Sequence, residues 1–177
     1  MNESMKILYD EHTVIINAID VARNAASLIG KDDAEYEKTI RDLIYFFRTY
    51  ADEFHHHKEE VILFPEMSKQ NELLADGVLK EMLENHEDFR EMVRSIEQRL
   101  NEKQFHEAQK LLDRYTNALL DHIAAENEEL FPMTDSLMSE TELQSIYFRF
   151  KDCDRELGEQ KKEDLVELAD ALRKSFI

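Results

Sequence analysis

Two stretches of the sequence repeat one another: HHHKEEVILFP at residues 55–65 and HIAAENEELFP at residues 122–132. When their Leu-Phe-Pro endings are aligned, His55 corresponds to His122, and Glu59 corresponds to Glu126. Both pairs have the pattern His-x-x-x-Glu, and residues four apart lie on one face of an α-helix, about 6 Å apart along its axis. A single such pair is common on helix surfaces. Two in the same frame before the same tripeptide predict two similar helices that each present a cation-binding pair.

The composition around this repeat favours long helices. The chain has 177 residues, of which 3 are glycine and 2 are proline, so little material is available for hairpins and turns. That length suits one domain with a substantial core rather than two. We therefore predict an all-α fold, an antiparallel up-down-up-down four-helix bundle whose neighbouring helices are joined by short connections.

Apolar spacing and capping residues set the expected helix limits. Ser4 can cap the first helix, and Gly30 suits the left-handed residue after its end. The four helices are predicted from about Ser4 to Ile29, from Asp32 or Asp33 to Phe64, from Val78 to Leu100 and from Phe105 to Phe131. Pro65 and Pro132 are expected to mark frayed ends or kinks, because proline lacks the backbone donor.

The whole chain, residues 1–177, is predicted to form a single domain. Residues 1–135 would make the metal-binding bundle, and residues 140–177 would make a C-terminal extension. The extension is predicted to contain two shorter helices broken around Gly158 and to pack on the outside of the bundle through an apolar stripe: Leu165, Leu168, Ala169, Leu172 and Phe176.

The remaining long helices each offer a histidine at a suitable depth. Across antiparallel connections, His12 is level with His55 and His86 is level with His122 to within roughly 6 Å, from the rise of the helix. One slab of the bundle thus contains four histidines and two glutamates: His12, His55, Glu59, His86, His122 and Glu126. Buried groups of this kind are costly unless they are paired or bind a metal.

The donor types indicate which metals the slab would hold. Nitrogen and carboxylate oxygen donors without thiolate favour iron, manganese or zinc. Two carboxylates able to bridge, with histidines around them, suit two metal ions a few ångströms apart. Six protein ligands do not saturate two octahedral ions, so positions stay open for water, oxide, oxygen or nitric oxide.

These motifs resemble those of the haemerythrin family, in its HHE cation-binding branch. The resemblance covers about residues 5–135 and rests on motifs in all four helices: Asp10-Glu11-His12, Phe54 to Glu60 with Leu63-Phe64-Pro65, Glu84-Asn85-His86-Glu87, and Asp121-His122-Ile123 with Glu126-Asn127 and Leu130-Phe131-Pro132. The tail around Leu157-Gly158 and Leu168-Ala169 resembles the C-terminal extension of many HHE proteins more weakly.

The resemblance implies a non-haem di-iron centre with an oxo or hydroxo bridge, ligated by the six residues named above, with manganese or zinc as alternatives. Oxygen-carrying haemerythrins have a second histidine four residues away on the third helix, where this chain has Met82 and Arg90. The carrier's aspartate on the fourth helix is replaced by Asn127, with Glu126 one position earlier. Both departures disfavour simple oxygen carriage.

Three functions therefore stay open at this stage. The first is a binding protein for oxygen or nitric oxide, or one that handles iron and redox stress. The second is a di-iron redox enzyme acting on peroxide, oxygen or nitric oxide with an unknown redox partner. The third is a structural zinc-binding bundle. A ferritin-like site, which needs several Glu-x-x-His motifs, is disfavoured because Glu53-x-x-His56 is the single match.

Other polar residues of the motifs are given lesser roles. His56 and Glu60 form another pair four residues apart, interpreted as solvated or as support for the ligands, and whether they are ligands themselves stays open. His57 and His106 are expected on the surface. Tyr50 and Tyr115 are candidates to donate a hydrogen bond or proton to a bound small ligand.

The charge of the chain limits its partners. Forty acidic and 22 basic residues give a formal net charge of −18, which disfavours nucleic acid and anionic membranes. Cys153 is the single cysteine, so no intrachain disulfide forms, and a structural thiol in a reducing compartment is expected. Without a signal-peptide pattern or an apolar span, a cytoplasmic location is predicted. The sequence does not reveal the oligomeric state.

Overall fold

The computed structural model describes residues 2–176, which form helices and connections with no strand among them. The prediction of an all-α fold is confirmed. The α-helices are α1 (Glu3–Ala25), α2 (Asp33–Phe46), α3 (Phe64–Gln70), α4 (Leu73–Asp76), α5 (Val78–Asn101), α6 (Phe105–Ala125), α7 (Phe131–Leu137), α8 (Glu140–Leu157) and α9 (Glu159–Lys174). None of the helices within residues 2–176 is both long enough and apolar enough to cross a membrane.

The caps of α1 and α2 and the turn between these helices lie close to the predicted positions. Asn2, and not Ser4, caps α1: its side chain accepts a hydrogen bond from the backbone N–H of Ser4, which is buried inside the first turn. Gly30 has a φ of +78°, the left-handed conformation that a residue after a helix often adopts. Asp32 caps α2 by accepting from the N–H of Glu35, as predicted.

The second and fourth long helices continue past the prolines where they were predicted to end. Immediately before each proline the backbone widens into a π-helix, over Glu59–Leu63 and Glu126–Leu130. A third π-helix, Phe47–His56, precedes the first of these. Each proline then falls in the first turn of α3 or α7, where its missing N–H removes little hydrogen bonding. Residues 33–70 and 105–137 are therefore two continuous long helices.

Side chains on the long helices donate hydrogen bonds to neighbouring helices, and the residue numbers rise along one helix as they fall along its neighbour. These hydrogen bonds connect Tyr9 to Asn127, Arg23 to Asn117, Arg48 to Glu97 and Arg90 to Asp52. In each of these pairs the two helices therefore run in opposite directions. This arrangement places the middle of all four long helices at the same depth.

Helices α8 and α9 pack against α1 and the second long helix. They are separated at Gly158, whose φ is +108°. The buried apolar side chains of α9 belong to the same cluster as those of the bundle: Leu165, Ala169 and Leu172 together with Ile15, Ile19, Ile40 and Phe46. Cys153 of α8 is buried in a second apolar cluster and forms no disulfide.

Candidate metal centre

The six residues predicted to form the site lie together in the middle of the bundle. They come from all four long helices and are buried, with at most 3% of each side chain exposed: His12, His55, Glu59, His86, His122 and Glu126. The two glutamates stand at the first residue of a π-helical segment. π-Helical turns of this kind are frequent at functional sites.

Glu59 lies between two histidines from different helices. Its Oε1 is 3.4 Å from Nε2 of His55, and its Oε2 is 3.5 Å from Nε2 of His86. Each of its two oxygen atoms therefore faces a different histidine. A carboxylate placed in this way is able to bridge two cations.

Glu126 has the same relation to the other two histidines. Its Oε2 is 3.1 Å from Nε2 of His12, and its Oε1 is 3.1 Å from Nε2 of His122. Two groups of donor atoms result, which we name the His12–His55 side and the His86–His122 side. Each side receives one oxygen atom from each glutamate. The first side's four donor atoms lie within 4.8 Å of one another.

The donor atoms are buried and unsatisfied in a way that fits a cation. Among residues 2–176, no hydrogen-bond partner reaches Nε2 of His12 or His55, or either carboxylate oxygen of Glu59 and Glu126. Nε2 of His86 and Nε2 of His122 are 3.1 Å apart, and two such atoms share at most one proton between neutral rings. Imidazole nitrogen and carboxylate oxygen suit iron, manganese or zinc.

The electrostatics of the site also favour a bound cation. Burial, together with the negative charges of Glu126 and Glu11, raises the pKa of Glu59 well above its usual value. Burial opposes ionisation of Glu126 as well, but its contacts with His122 and His12 outweigh that effect and lower its pKa. Burial and the proximity of His12 lower the pKa of His55 to about 4, so its ring is neutral at neutral pH. Neutral imidazole is the form that binds metals.

Each of the four histidines of the site is oriented by a polar group outside it. The Nδ1 atoms of the four rings face Oδ1 of Asn127 for His12 (2.8 Å), Oε2 of Glu11 for His55 (2.9 Å), Oε1 of Glu60 for His86 (2.8 Å) and the side-chain amide of Asn85 for His122 (3.4 Å). Such contacts fix the ring so that Nε2 faces the two glutamates, as they do for histidines that bind metals. The sequence motifs contained all four partners. The sequence does not show which faces of neighbouring helices meet, so these four contacts were not predicted.

His56 corrects one prediction and agrees with another. It is buried rather than solvated, and its Nδ1 faces Asp52 at 3.4 Å, while Glu60 binds His86 instead. The ring of His56 lies nearly parallel to that of His86, with centroids 3.9 Å apart and an interplanar angle of 15°. A donor atom of His56 also lies within 4.8 Å of donor atoms of Glu59, His86 and His122, so His56 is positioned either to support His86 or to contribute a ligand on that side.

A cavity of about 350 Å³ opens beside this histidine. His56 lines this cavity and is the lining residue next to the site. The other lining residues are Phe47, Phe89, Val93 and Tyr115, together with the charged Arg48, Asp52, Glu53, Arg90 and Arg94. Tyr115 is buried in its wall, whereas Tyr50 stacks on Phe46 with ring centroids 5.0 Å apart. His57 and His106 are exposed, as predicted.

A comparison with protein families agrees with this geometry. A family model described as the hemerythrin HHE cation binding domain matches residues 4–134, about three quarters of the chain. No curated protein and no solved structure matches the chain. The matched residues include all six histidines and glutamates of the site. The chain therefore belongs to the haemerythrin family of HHE cation-binding domains.

Proposed function

We propose that the bundle binds two iron ions, one on the His12–His55 side and one on the His86–His122 side. The observation that carries this proposal is that each of the two buried glutamates directs one oxygen atom to each side. Each ion would receive two imidazole nitrogens and two carboxylate oxygens from the protein. Open positions are left on both ions, and a redox-active pair there supplies the chemistry for binding oxygen, nitric oxide or peroxide.

The protein's own residues favour sensing or redox-stress handling over simple oxygen carriage. The third long helix contributes one histidine, because Met82 is buried among apolar side chains and Arg90 is directed at Asp52 and Glu60. Asn127, where the carrier's aspartate would stand, orients His12 from outside the site. The cavity is lined by His56, which stacks on His86, so a small molecule in it would lie close to the His86–His122 side.

The first experiment is the metal content of protein purified without added metal, with absorption spectra recorded before and after dithionite. We expect about two irons per chain and near-ultraviolet bands that bleach on reduction. His122→Ala should lower metal occupancy because it removes a donor, whereas the exposed His106→Ala should not. Equal metal content in these two variants would refute the ligand assignment. Zinc at full occupancy, and no colour after anaerobic iron loading, would favour a structural zinc bundle.

The cavity also favours a second candidate function, that of a di-iron redox enzyme. Its volume of about 350 Å³ admits small substrates, and the buried Tyr115, which lines it, would donate a hydrogen bond to one of them. Burial raises the pKa of this phenol, so it keeps its proton at neutral pH. Sustained turnover of peroxide, oxygen or nitric oxide with an added reductant would support the enzyme. Stoichiometric binding without turnover would support the sensor.

A further inference from the structure

Four charged side chains form a closed ring behind the site. Glu11 Oε1 accepts from Nζ of Lys58 at 2.6 Å and from Nζ of Lys162 at 2.5 Å. Asp154 faces the same two lysines, with Oδ1 2.6 Å from Lys58 and Oδ2 2.6 Å from Lys162. Lys58 is fully buried, and Glu11 and Asp154 are almost so. Two acids and two bases alternate around this ring, so its charges balance.

The ring joins the C-terminal extension to a ligand of the proposed metal centre. Asp154 lies in α8 and Lys162 lies in α9, outside residues 4–134 that match the family model. Glu11 uses its second oxygen, Oε2, to accept from Nδ1 of His55 at 2.9 Å. The extension is therefore two hydrogen bonds away from Nδ1 of His55, whose other ring nitrogen, Nε2, faces Glu59 in the proposed metal centre.

Attachment of the extension alone does not account for the ring. Leu165, Ala169 and Leu172 already bury the apolar face of α9 against the bundle. Burying four charged groups is costly, and such groups often stabilise a fold no more than apolar side chains of the same size would. Through Glu11 the ring contacts one particular histidine, His55, and orients its imidazole. Apolar packing would not supply that contact.

We propose that the C-terminal extension positions His55 for metal binding, with Lys162 and Asp154 as positioning residues that hold Glu11 in place. This inference rests on the proposed two-metal function. Without Lys162, Glu11 has lost one of its two ammonium partners and is free to turn towards the remaining one, Lys58. Nδ1 of His55 then has no fixed acceptor. The effect should fall on the His12–His55 side and leave the His86–His122 side intact.

The test uses Co²⁺ titration of the metal-free, full-length chain, followed by calorimetry and by the visible absorption of bound Co²⁺. Lys162→Met should weaken one of two binding steps about 10- to 100-fold, the range observed for groups that orient metal ligands. The other step should keep its affinity and its spectrum. Lys162→Arg should restore the weakened step. Lys161→Met is the matched control, because Lys161 is next to Lys162 in the sequence but is 42% exposed and pairs with Glu53 rather than with Glu11.

Asp154→Asn, which is nearly isosteric, provides a second variant if Lys162→Met fails to fold, and it should weaken the same step. Two unchanged steps in the folded variants would overturn the inference while leaving the two-metal function standing. Equal weakening of both steps, or the same loss in Lys161→Met, would also overturn it, since either result indicates general loosening. A wild-type chain without two binding steps would refute the proposed function, and the inference with it.

Discussion

The two sides of the site are supported in different ways. On the His12–His55 side, Glu11 and Lys58 are at most 3% exposed, and the C-terminal extension covers them. On the His86–His122 side, the corresponding charged cluster consists of side chains that are 23–28% exposed: Glu60, Arg90 and Asp52. The cavity opens next to this second cluster. The charged residues that support the His12–His55 side are therefore closed off from solvent, and we call it the closed side. Those that support the His86–His122 side are partly exposed, and we call it the open side.

This difference arises although the ligands themselves repeat. His55 and Glu59 have the same spacing as His122 and Glu126, and both glutamates begin a π-helical turn before a proline. The repeat determines the donors, whereas the residues around it determine access and rigidity. We interpret the closed side as the one that holds its metal more tightly, and the open side as the one that small ligands reach first.

The largest expected effect comes from a residue that both sides share. Glu59→Gln has the shape of the protonated acid, and burial, with the negative charges of Glu126 and Glu11, raises the pKa of Glu59 and so favours that protonated form in the metal-free protein. The substitution should therefore leave the unfolding temperature of the metal-free protein nearly unchanged. It should weaken both metal-binding steps by about 100-fold or more, because a neutral amide replaces the anion that faces both sides.

Isothermal titration with Co²⁺ and thermal unfolding of the metal-free protein measure the two quantities. Glu128→Gln, on an exposed glutamate of the fourth long helix, is the control and should change neither. If Glu59→Gln weakens one step and spares the other, Glu59 is not shared between the sides and the bridging assignment is wrong.

The next prediction compares the closed cluster with the open one. Lys58→Met leaves Glu11 and Asp154 buried with one remaining ammonium group, and breaking a buried pair typically costs about 3–5 kcal/mol. Arg90→Met removes ion pairs that are a quarter exposed, which should cost about 1 kcal/mol or less. Urea unfolding of the metal-free variants measures both losses. Equal losses would show that burial does not distinguish the two clusters.

The sequence predicted the helical fold well because its signals are local. Scarce glycine and proline, apolar spacing, Asp32 as a cap and Gly30 and Gly158 as breaks are each visible within a few residues. The helix ends predicted at Pro65 and Pro132 were wrong for one physical reason, whereas the kinks given as the alternative stay a prediction. A proline ends a helix when the preceding turn is α-helical, but here a wider π-helical turn comes first, and nothing in the residue pattern announces it.

The site was predictable to the extent that it depends on spacing along a helix. Depth alone made His12 level with His55 and His86 level with His122, and the structure brings each of these pairs together, with Glu59 close to both. The roles of Glu11 and Glu60 depend on which face of one helix meets another. Lys162 depends on how the extension packs, and it lies far along the chain from His55. Contacts of that kind are tertiary and leave no local pattern.

We expect the stability of the metal-free protein to depend on pH through His55, a buried histidine of the closed side. In the metal-free protein the pKa of His55 is lowered to about 4, against an ordinary value of 6.5, so the unfolded chain takes up the proton more readily. The contribution of His55 to stability is complete above pH 6.5 and is lost as the pH falls towards 4. Linkage gives a loss of about 2 kcal/mol between pH 7.5 and pH 5.

Urea unfolding of the metal-free chain at several pH values between 5 and 7.5 tests this expectation. His55→Gln, which carries no titrating ring, should show a pH dependence shallower by about 2 kcal/mol over that interval. His106→Gln alters an exposed ring and should follow the wild type. Parallel curves for wild type and His55→Gln would contradict the buried, neutral state of His55.

The smallest expected effect concerns His56, on the open side. His56→Phe keeps a flat ring against His86 and removes the nitrogen that faces Asp52. If His56 supports His86 by stacking, the variant still binds two metals, and its affinity on the His86–His122 side falls by less than about tenfold.

A ligand role for His56 would produce a different result, because loss of a metal-bound nitrogen weakens one step by far more than tenfold. His56→Ala separates the two explanations further, since it removes both the nitrogen and the stacked ring. If stacking matters, His56→Ala should be worse than His56→Phe in Co²⁺ titration, whereas a metal ligand would make the two variants equally poor. His56 stacks on His86 and also lines the cavity. The comparison therefore also shows whether this residue of the cavity wall can be changed while the His86–His122 side still binds its metal.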